Sequence, residues 1–525
     1  MKSYQIEKRK LKFVALVCTL LVTVFASGWV LRGIYSSSTI PVISPQSYVE
    51  TASYVVWADI STTPTTYWSK NGQTGEVASQ TNVRQFIQNT WLSASSNGVS
   101  FYFKSGVYSI TDGLHGVDLN GNNIKSIELA GEQGAIFEVG SAIPDTLFLI
   151  HHFKGVYIHG LEFDGQRSLY TQNTTGFVIS ADNSTIIENC VIHDFIMNAI
   201  YTTSWNGVLN GDIIIKDSTI YNIGGHPLSS SINLASSYGQ VIVENSEIRN
   251  TTGNGSTGGQ ALYIQAARTI IRGNYIHDCY SYIDIKSFAA SGTRTNTLIE
   301  GNKIVNIPTP SSNYNVAIDI AQPTIIENNL VIMGKSGSTS IEVRTGSVGS
   351  KIMNNILNGT NTAMCGIELR GSSVGTEIIG NTIVNFFSFG IYMYEQNARN
   401  IISHNLFTGM GNKPIYEASS SAPSVITDND VSTDNSGYTI LVTSSGFKFA
   451  NNIGFVTENS GTATISASTS VTFNHGLVHT PTGVWASFNS TTVTGWTWTA
   501  TSTQITITVT PLGTYRVYWE TVYQP

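Results

Sequence analysis

The sequence predicts an all-β protein in which short parallel strands stack into a long coil. An aliphatic or aromatic residue close to an asparagine returns about every 24 to 29 residues over most of the chain. The repeats hold short runs rich in Val, Ile and Leu, broken by Asn, Gly, Ser and Thr, and they show no helical periodicity. Three such strands in about 25 residues describe one turn of a parallel β-coil that advances about 4.8 Å per turn. The repeated residues are Phe137, Phe163, Ile192, Ile220, Ile248, Ile276, Ile304, Val331, Leu357, Ile383, Phe407 and Val431.

Polar residues beside the repeated residues predict the turns of the coil. Asn and Asp tolerate left-handed backbone conformations, and stacked copies can hydrogen-bond one another. A first row precedes the repeated residue by two or three positions and comprises Asn189, Asn245, Asn274, Asn302, Asn329, Asn355, Asn381, Asn405 and Asn429. A second row follows the repeated residue by two positions and comprises Asp194, Asn222, Asn250, Asp278, Asn306 and Asn385. The pairs His193–Asp194 and His277–Asp278 fall in the second row, which favours a structural role for both.

Residues 80–96 predict a short amphipathic helix at the start of the coil, where the open end needs a cap. Within TNVRQFIQNTWL, the residues Val83, Phe86, Ile87 and Trp91 fall on one helical face. The strands VSFYFKSGVYSI and SIELAGEQGAIFEV follow it, and an uncapped coil end would expose unpaired edges. Together with the repeat and the asparagine turns, this entry region resembles the right-handed parallel β-helix proteins of the pectate lyase-like superfamily over about residues 75–435.

That resemblance implies a right-handed parallel β-helix of about 11 to 12 coils, with a saccharide cleft on one of its strand faces. The fold carries lyases, glycosidases, epimerases, phage tailspikes and adhesins, so the resemblance implies an architecture and not one activity. We therefore assign residues 76–435 to the β-helix, 33–75 to a spacer, 436–458 to a connector and 459–525 to a small β-sandwich-like domain.

Residues 1–32 predict a membrane anchor or a signal peptide. Basic residues precede an apolar run from Phe13 to Leu31, which is long enough to span a bilayer as a helix. An uncleaved anchor is favoured, and cleavage after Ala26 is the alternative. Either interpretation places the rest of the chain outside the cytoplasm, at the cell surface or secreted. The net charge of −7 argues against nucleic acid as a partner.

The four cysteines predict buried thiols and no disulfide framework. Cys190 and Cys279 lie three coils apart, about 14 Å on the coil spacing, which is too far for a bridge. Cys18 lies in the apolar run and Cys365 opens a strand, and no C-x-x-C metal spacing occurs.

The C-terminal domain alternates polar and apolar residues in longer strands of antiparallel style. Its tryptophans suggest either stacking on sugar rings or filling of a small core. These tryptophans are Trp485, Trp496, Trp498 and Trp519. A role of this domain in oligomerisation or partner docking is an equal alternative.

One further strand of each coil predicts the candidate site. It alternates inward aliphatic and outward polar residues, as where Ile283 and Ile285 flank Asp284. The first outward row comprises Tyr201, Asn233, Tyr263, Asp284, Asp319, Glu342, Glu368, Tyr392 and Tyr416. The second outward row includes Gln265, Lys286, Arg344, Arg370 and Tyr394. Four carboxylates on successive coils lie about 5 Å apart, close enough to raise each other's pKa unless cations offset them.

Three chemistries suit these rows. A hydrolase needs two carboxylates, for which Asp284 with Asp319, or Glu342 with Glu368, are candidates. A lyase acting on uronates needs a base and a neutralising cation; Lys286, in a DIKS stretch that resembles Lys-dependent lyases, is the candidate base, with Arg294 and Arg344 as its partners. Calcium binding by Asp284, Asp319 and Glu342 is the third. The candidate catalytic residues are Asp284, Lys286, Asp319, Glu342, Arg344, Glu368 and Arg370, and the candidate substrate-binding residues are Tyr201, Tyr263, Tyr392, Tyr394 and Tyr416.

The alternative is that the charged row only decorates the surface. The segments IEVRTGSVGS and IELRGSSVGT are near copies, so the repeated Glu-x-Arg can reflect duplication, and a surface charge ladder contributes little to stability. The sequence thus predicts an extracellular, polysaccharide-engaging β-helix protein, either a lyase or glycoside hydrolase or a non-catalytic adhesin, envelope or glycan-binding protein.

Overall fold

The computed structural model describes residues 53–524, except 94–97, 112–114, 122–124, 141–144, 170–173, 203–210, 254–258, 287–295, 307–314, 372, 396, 419–423, 434–439 and 443–445. The predicted anchor in residues 1–32 lies outside the described residues. Among the residues that are described, we find no helix with the length and apolarity to cross a membrane.

The described chain forms a right-handed parallel β-helix, as predicted. Each coil contributes strands to three parallel sheets, which we name sheets 1, 2 and 3. Sheet 1 contains Val117–Asn120, Asn198–Thr202, Ser281–Ile285, Val316–Ile320, Thr339–Val343, Cys365–Leu369, Phe389–Met393 and Lys413–Glu417. Sheet 2 contains Gly98–Phe103, Ser126–Gly131, Asp212–Lys216, Asn296–Glu300, Thr324–Glu327, Lys351–Met353, Glu377–Ile379, Ile401–Ser403, Val425–Thr427 and Lys448–Ala450.

Four long strands run through both of these sheets and join them into one continuous sheet. They are Thr146–His159, Thr175–Glu188, Ser230–Glu244 and Gln260–Arg272. Sheet 3 contains Gly106–Ile110, Ala135–Val139, Glu162–Asp164, Val191–His193, Thr219–Tyr221, Glu247–Arg249, Tyr275–His277, Lys303–Asn306, Leu330–Met333, Ile356–Asn358, Thr382–Val384 and Leu406–Thr408. Its twelve strands agree with the predicted number of coils.

The repeated aliphatic residues form the core of sheet 3. Ile192, Ile220, Ile248 and Ile276 are Cα partners on successive strands, and each is fully buried. Burying one such side chain contributes about 1.5–3 kcal/mol. A period set by one buried residue per coil therefore explains why the repeat is so regular.

The N-terminal end of the β-helix extends further than predicted. The helix α1, Val83–Ser93, buries the predicted face of Val83, Phe86, Ile87 and Trp91. Before it, the strands Tyr54–Asp59, Thr66–Asn71 and Val77–Gln80 form an antiparallel meander.

The prediction of a spacer over residues 33–75 is therefore wrong for its described part. Tyr54 pairs in parallel with Phe101, so the first strand of the meander continues sheet 2. An antiparallel meander lacks the coil period, which is why the repeat did not reveal it.

The predicted connector over residues 436–458 also contains part of the β-helix. Lys448–Ala450 pairs in parallel with Val425–Thr427 and adds one more strand to sheet 2. Phe447 and Phe449 are buried in the same core. Phe449 takes the place that the aliphatic Ile426 has on the preceding strand, which concealed this last strand.

Buried asparagines hydrogen-bond from coil to coil along one corner of the β-helix. In each step the side-chain nitrogen of one asparagine donates to Oδ1 of the next at 2.9–3.0 Å. This asparagine ladder comprises Asn274, Asn302, Asn329, Asn355, Asn381, Asn405, Asn429 and Asn452. The prediction of stacked turn residues is confirmed from Asn274 to Asn429, and Asn452 extends the row by one coil that was not predicted.

Two members of the predicted first row occupy a different place. Asn189 and Asn245 have φ of 52° and 51°, and the ladder position beside them holds Cys190 and Ser246. The second predicted row is left-handed at Asp194, Asn222, Asn250, Asp278 and Asn385. This geometry confirms the turn role of these residues.

The C-terminal domain is a small antiparallel β domain, as predicted. Its strands are Glu458–Asn474, Gly483–Phe488, Gly495–Ala500 and Gln504–Val522. The last strand lies in the middle and pairs with the other three. Its buried residues include Ile465, Ile507, Val517 and Trp519.

Candidate functional site

The first outward row forms a continuous column across sheet 1. Each residue is the Cα partner of the next one, from strand to strand. In register order the column comprises Tyr201, Asn233, Tyr263, Asp284, Asp319, Glu342, Glu368, Tyr392 and Tyr416. The predicted register is therefore confirmed over nine strands, and the four carboxylates are direct neighbours.

Cations bridge the carboxylates of neighbouring coils. Lys286 Nζ lies 2.8 Å from Asp284 Oδ1 and 3.9 Å from Asp319 Oδ2. Arg344 Nη2 lies 2.7 Å from Asp319 Oδ2, and its Nε lies 3.0 Å from Glu342 Oε1. Because a lysine or arginine follows its carboxylate by two residues, its long side chain reaches both its own strand and the adjacent one.

The same pattern continues on the next coil. Arg370 Nε donates to Glu368 Oε1 at 3.1 Å, and its Nη1 lies 3.7 Å from Glu342 Oε1. The hydroxyl of Thr339, which the sequence did not single out, donates to Glu368 Oε2 at 3.3 Å. We call the seven residues Asp284, Lys286, Asp319, Glu342, Arg344, Glu368 and Arg370 the charge ladder.

The carboxylates of the charge ladder are buried, and its cations are partly exposed. The exposed fractions of the carboxylate side chains are 8% for Asp284 and Asp319, 0% for Glu342 and 1% for Glu368. The cation side chains are 31% exposed for Lys286, 40% for Arg344 and 38% for Arg370. The accessible face of the ladder is thus formed by nitrogen donors, which suits an anionic ligand.

Burial also changes the acidity of the ladder. It raises the pKa of the Asp284, Glu342 and Glu368 carboxyls above the usual range, with the nearby cations opposing the shift. At Asp319, burial and the charge of Asp284 raise the pKa of the carboxyl to about 6. A carboxyl with a pKa near 6 can exchange a proton close to neutral pH.

Aromatic rings flank the charge ladder at both ends. Lys286 Nζ lies 5.9 Å from the ring centroid of Tyr263, and the Arg370 guanidinium lies 5.3 Å from that of Tyr394. The Tyr394 side chain is exposed. Tyr263 and Tyr394 therefore lie next to cations of the charge ladder. Tyr201 lies further away, two strands beyond Tyr263.

The rings of Tyr392 and Tyr416 stack on one another, with centroids 5.6 Å apart. Phe389 stacks on both, at 4.7 and 4.9 Å. Sequence reasoning missed Phe389, because it has the strand parity of the inward residues Ile391 and Met393. Stacking within the protein covers part of the ring surface that a sugar would need.

The predicted calcium site coincides with part of the charge ladder. Lys286 and Arg344 already contact the carboxylates of Asp284, Asp319 and Glu342. A bound cation would have to displace these contacts, and calcium binding here stays a prediction. The proposed lyase partner Arg294 lies outside the described residues.

The tryptophans of the C-terminal domain divide into two kinds. Trp519 is buried and stacks on Phe473 at 4.7 Å, so it belongs to the core. Trp485 is 58% exposed and lines a shallow surface concavity of about 540 Å³ with Glu520 and Ser460. Trp496 and Trp498 are half-buried.

No family model and no curated protein sequence matches this chain. Among solved structures, the mannuronan C-5 epimerase AlgE6 A-module of Azotobacter vinelandii matches with 12% identity and a TM-score of 0.37, over 71% of this chain and 95% of that one. The tailspike protein of E. coli bacteriophage HK620 in complex with pentasaccharide matches with 11% identity and a TM-score of 0.39, over 85% of this chain and 90% of that one.

A third match is the PL6 family polysaccharide lyase Pedsa3628 from Pseudopedobacter saltans, with 11% identity and a TM-score of 0.35, over 70% of this chain and 91% of that one. The architecture that the stacked coils themselves display is a right-handed parallel β-helix, the fold implied by the resemblance to the pectate lyase-like superfamily.

Proposed function

We propose that the protein engages an acidic polysaccharide along sheet 1, with the charge ladder as the binding surface. The observation that carries this proposal is the layering of the ladder, in which buried carboxylates hold partly exposed cations. Lys286, Arg344 and Arg370 then offer donors on successive coils, about 4.8 Å apart. Sugar carboxylates along one polysaccharide strand can accept from several of these donors at once.

Aromatic side chains extend the proposed binding surface. Tyr263 lies beside Lys286 and Tyr394 beside Arg370, so a saccharide that crosses the cations meets a ring on either side. An aromatic face gives apolar contact to a sugar ring at little conformational cost. The buried carboxylates orient the cations, since each ion contact limits the rotamers of a long side chain.

The first experiment measures binding of the purified chain to an acidic and to a neutral polysaccharide, for example polygalacturonate and dextran. We expect binding to the acidic polymer only, weakening as salt rises. The variant Arg344→Gln should weaken binding about tenfold. The matched control is Arg272→Gln, which breaks an ion pair with Glu244 on sheet 2 and should leave binding unchanged. Equal binding to both polymers would contradict the proposal.

A lyase or hydrolase activity at the same surface is the second candidate, favoured by the pKa of about 6 at Asp319. Such a group can donate or accept a proton near neutral pH, and Nζ of Lys286, the candidate base, lies 3.9 Å from Asp319 Oδ2. A polysaccharide screen that follows both unsaturated products and new reducing ends tests this candidate. Turnover by the wild-type chain that is lost in a folded Asp319→Asn variant supports an enzyme. If neither unsaturated products nor new reducing ends form while the polysaccharide still binds, the non-catalytic alternative is supported.

A further inference from the structure

A histidine and two aspartates converge on the outer surface of sheet 3, a different sheet from the one that carries the charge ladder. His193 Nδ1 lies 2.6 Å from Asp194 Oδ2 and 3.8 Å from Asp164 Oδ1. One ligand atom from each of the three residues lies within 4.8 Å of the others. One imidazole nitrogen with two carboxylates is a ligand set that suits a divalent transition metal such as zinc.

The surroundings of His193 hold the imidazole in an orientation that suits a metal ligand. Its Nε2 lies 3.1 Å from Glu162 Oε1, and the ring stacks on Tyr221 with centroids 4.7 Å apart. Nδ1 and Asp194 Oδ2 share a hydrogen bond, so a metal ion would take the place of the proton between them, while Nε2–H donates to the Glu162 carboxylate. Carboxylates in this position orient many metal-binding histidines and make them more basic.

Asp164 is held in place by its own neighbours. The backbone nitrogen of Gln166 donates to Asp164 Oδ1 at 2.8 Å, and its side-chain amide donates to Oδ2 at 2.7 Å. Asp164 is also the Cα partner of His193 on the adjacent strand. Both residues therefore present their side chains on the same face of sheet 3.

Three carboxylates lie close to His193, and the Arg249 guanidinium lies further out, over the ring of Tyr221 that stacks on His193. Glu162, Asp164 and Asp194 surround one imidazole, and within the described part of the chain no lysine or arginine nitrogen lies within 4.0 Å of these carboxylates. A protonated imidazole would offset only one of the three charges. A bound divalent cation would offset two, which gives the cluster a reason to take one up.

A second copy of the motif, three coils away, shows what the first copy has in addition. His277 Nδ1 lies 2.7 Å from Asp278 Oδ2, and its Nε2 lies 3.1 Å from Glu247 Oε1, as in the first copy. However, the Cα partner of His277 is Arg249, whose Nε lies 3.3 Å from Glu247 Oε1. The second copy thus has a cation where the first has Asp164, and it lacks a third ligand.

We propose that Asp164, His193 and Asp194 bind one zinc ion, with Glu162 as the outer-sphere partner of the imidazole. The turn role assigned to Asp194 is compatible with this, since its left-handed backbone directs its carboxylate back toward His193. Three protein ligands leave the fourth tetrahedral position to water. The site is independent of the polysaccharide surface on sheet 1.

The test is zinc binding by the tag-free full-length chain after treatment with a chelator, followed by calorimetric titration and metal analysis. We expect a stoichiometry of one zinc ion per chain. Asp164→Asn should weaken binding at least tenfold. The matched control is Asp278→Asn, which alters the same histidine contact in the second copy and should leave binding unchanged. Arg249→Asp supplies the missing carboxylate to the second copy and should raise the stoichiometry to two.

The variants distinguish zinc binding at these three residues from non-specific zinc binding elsewhere on the chain. No zinc retained by the wild-type chain would overturn the proposal, as would equal losses in Asp164→Asn and Asp278→Asn. If Asp164→Asn fails to fold, the gain of a second ion in Arg249→Asp carries the test, and its absence counts against the proposal. Thermal unfolding of each variant without zinc reports folding separately from metal binding.

Discussion

The guanidinium of Arg344 binds Asp319 across two successive coils, with Nη2 2.7 Å from Oδ2. Asp319 is buried, whereas Arg344 is partly exposed, so the contact joins the core-facing and solvent-facing sides of the charge ladder. Burial alone would favour the neutral carboxyl at Asp319, and the arginine opposes this effect.

Replacement of Arg344 by Gln should destabilise the protein by about 1–3 kcal/mol at pH 7, because a buried carboxylate loses its strongest partner. At pH 5 the loss should be smaller, since Asp319 can then hold a proton. Urea unfolding at both pH values measures the difference. An equal loss at pH 5 and pH 7 would show that Asp319 does not titrate between them.

The stability of the wild-type chain should fall as pH rises from about 4 to about 6. The pKa of Asp319 is about 6 in the folded protein against a usual 3.8, so the folded state binds the proton more tightly than the unfolded state does. The stabilisation is complete below about pH 4 and is lost through pH 6, by at most about 3 kcal/mol. Asp319→Asn should remove this component from the pH profile. Wild-type and variant profiles that remain parallel would contradict the prediction.

Removal of one asparagine side chain from the asparagine ladder should destabilise the protein. Asn355 Oδ1 accepts from both the backbone nitrogen and the side-chain nitrogen of Asn329, at 3.0 Å each. Asn355→Ala leaves these buried donors without that acceptor, which should cost about 1–3 kcal/mol in the free energy of unfolding. Denaturant unfolding measures it. The control Asn474→Ala, on the exposed surface of the C-terminal domain, should change stability by less than about 0.5 kcal/mol.

Three described cysteines should be unreactive in the folded protein. Cys190, Cys279 and Cys365 are free and buried, as the sequence predicted. Burial raises the pKa of the first two thiols to about 12, so almost no reactive thiolate forms at pH 8. In a Cys18→Ser background, a chromogenic disulfide reagent should titrate no thiol until denaturant is added, and three thiols afterwards. Fast reaction of any thiol in native buffer would place it at the surface.

The two kinds of tryptophan in the C-terminal domain should respond differently to truncation. Trp519 is buried in the core beside Phe473, and Trp519→Ala should cost about 3–5 kcal/mol in stability. Trp485 is largely exposed, so Trp485→Ala should cost less than about 1 kcal/mol. Thermal unfolding of both variants is the measurement. A large loss of stability in Trp485→Ala would indicate that the Trp485 side chain contributes to the folding of the domain.

Much of the candidate site was predictable from local pattern. Strand alternation depends only on backbone geometry, so residues such as Asp284 and Asp319 could be placed on one outward row without coordinates. The register between neighbouring strands was predictable from the one buried residue per coil, because a shift by one residue would turn the buried side chains toward solvent. The asparagine ladder was predictable for the same reason.

Side-chain pairing was decided only by the tertiary structure. Glu342 and Glu368 lie in near-identical segments, yet Glu342 contacts two arginines and Glu368 contacts Arg370. A long side chain reaches diagonally to an adjacent coil whose sequence is some 25 residues away, and local pattern does not encode that neighbour. The same holds for His193 and His277, which share a motif but face Asp164 and Arg249 respectively.

The sequence by itself thus determined the coil, its register and the outward rows, because each depends on a hydrophobic period that repeats with every turn. The tertiary structure alone decided that the carboxylates are buried beneath their cations, that the first strand at Tyr54–Asp59 joins sheet 2, and that Asp164 meets His193. These features depend on which side chains meet across neighbouring coils and on how deeply they are covered. Contact and burial are properties of the packed coils, and no single repeat contains them.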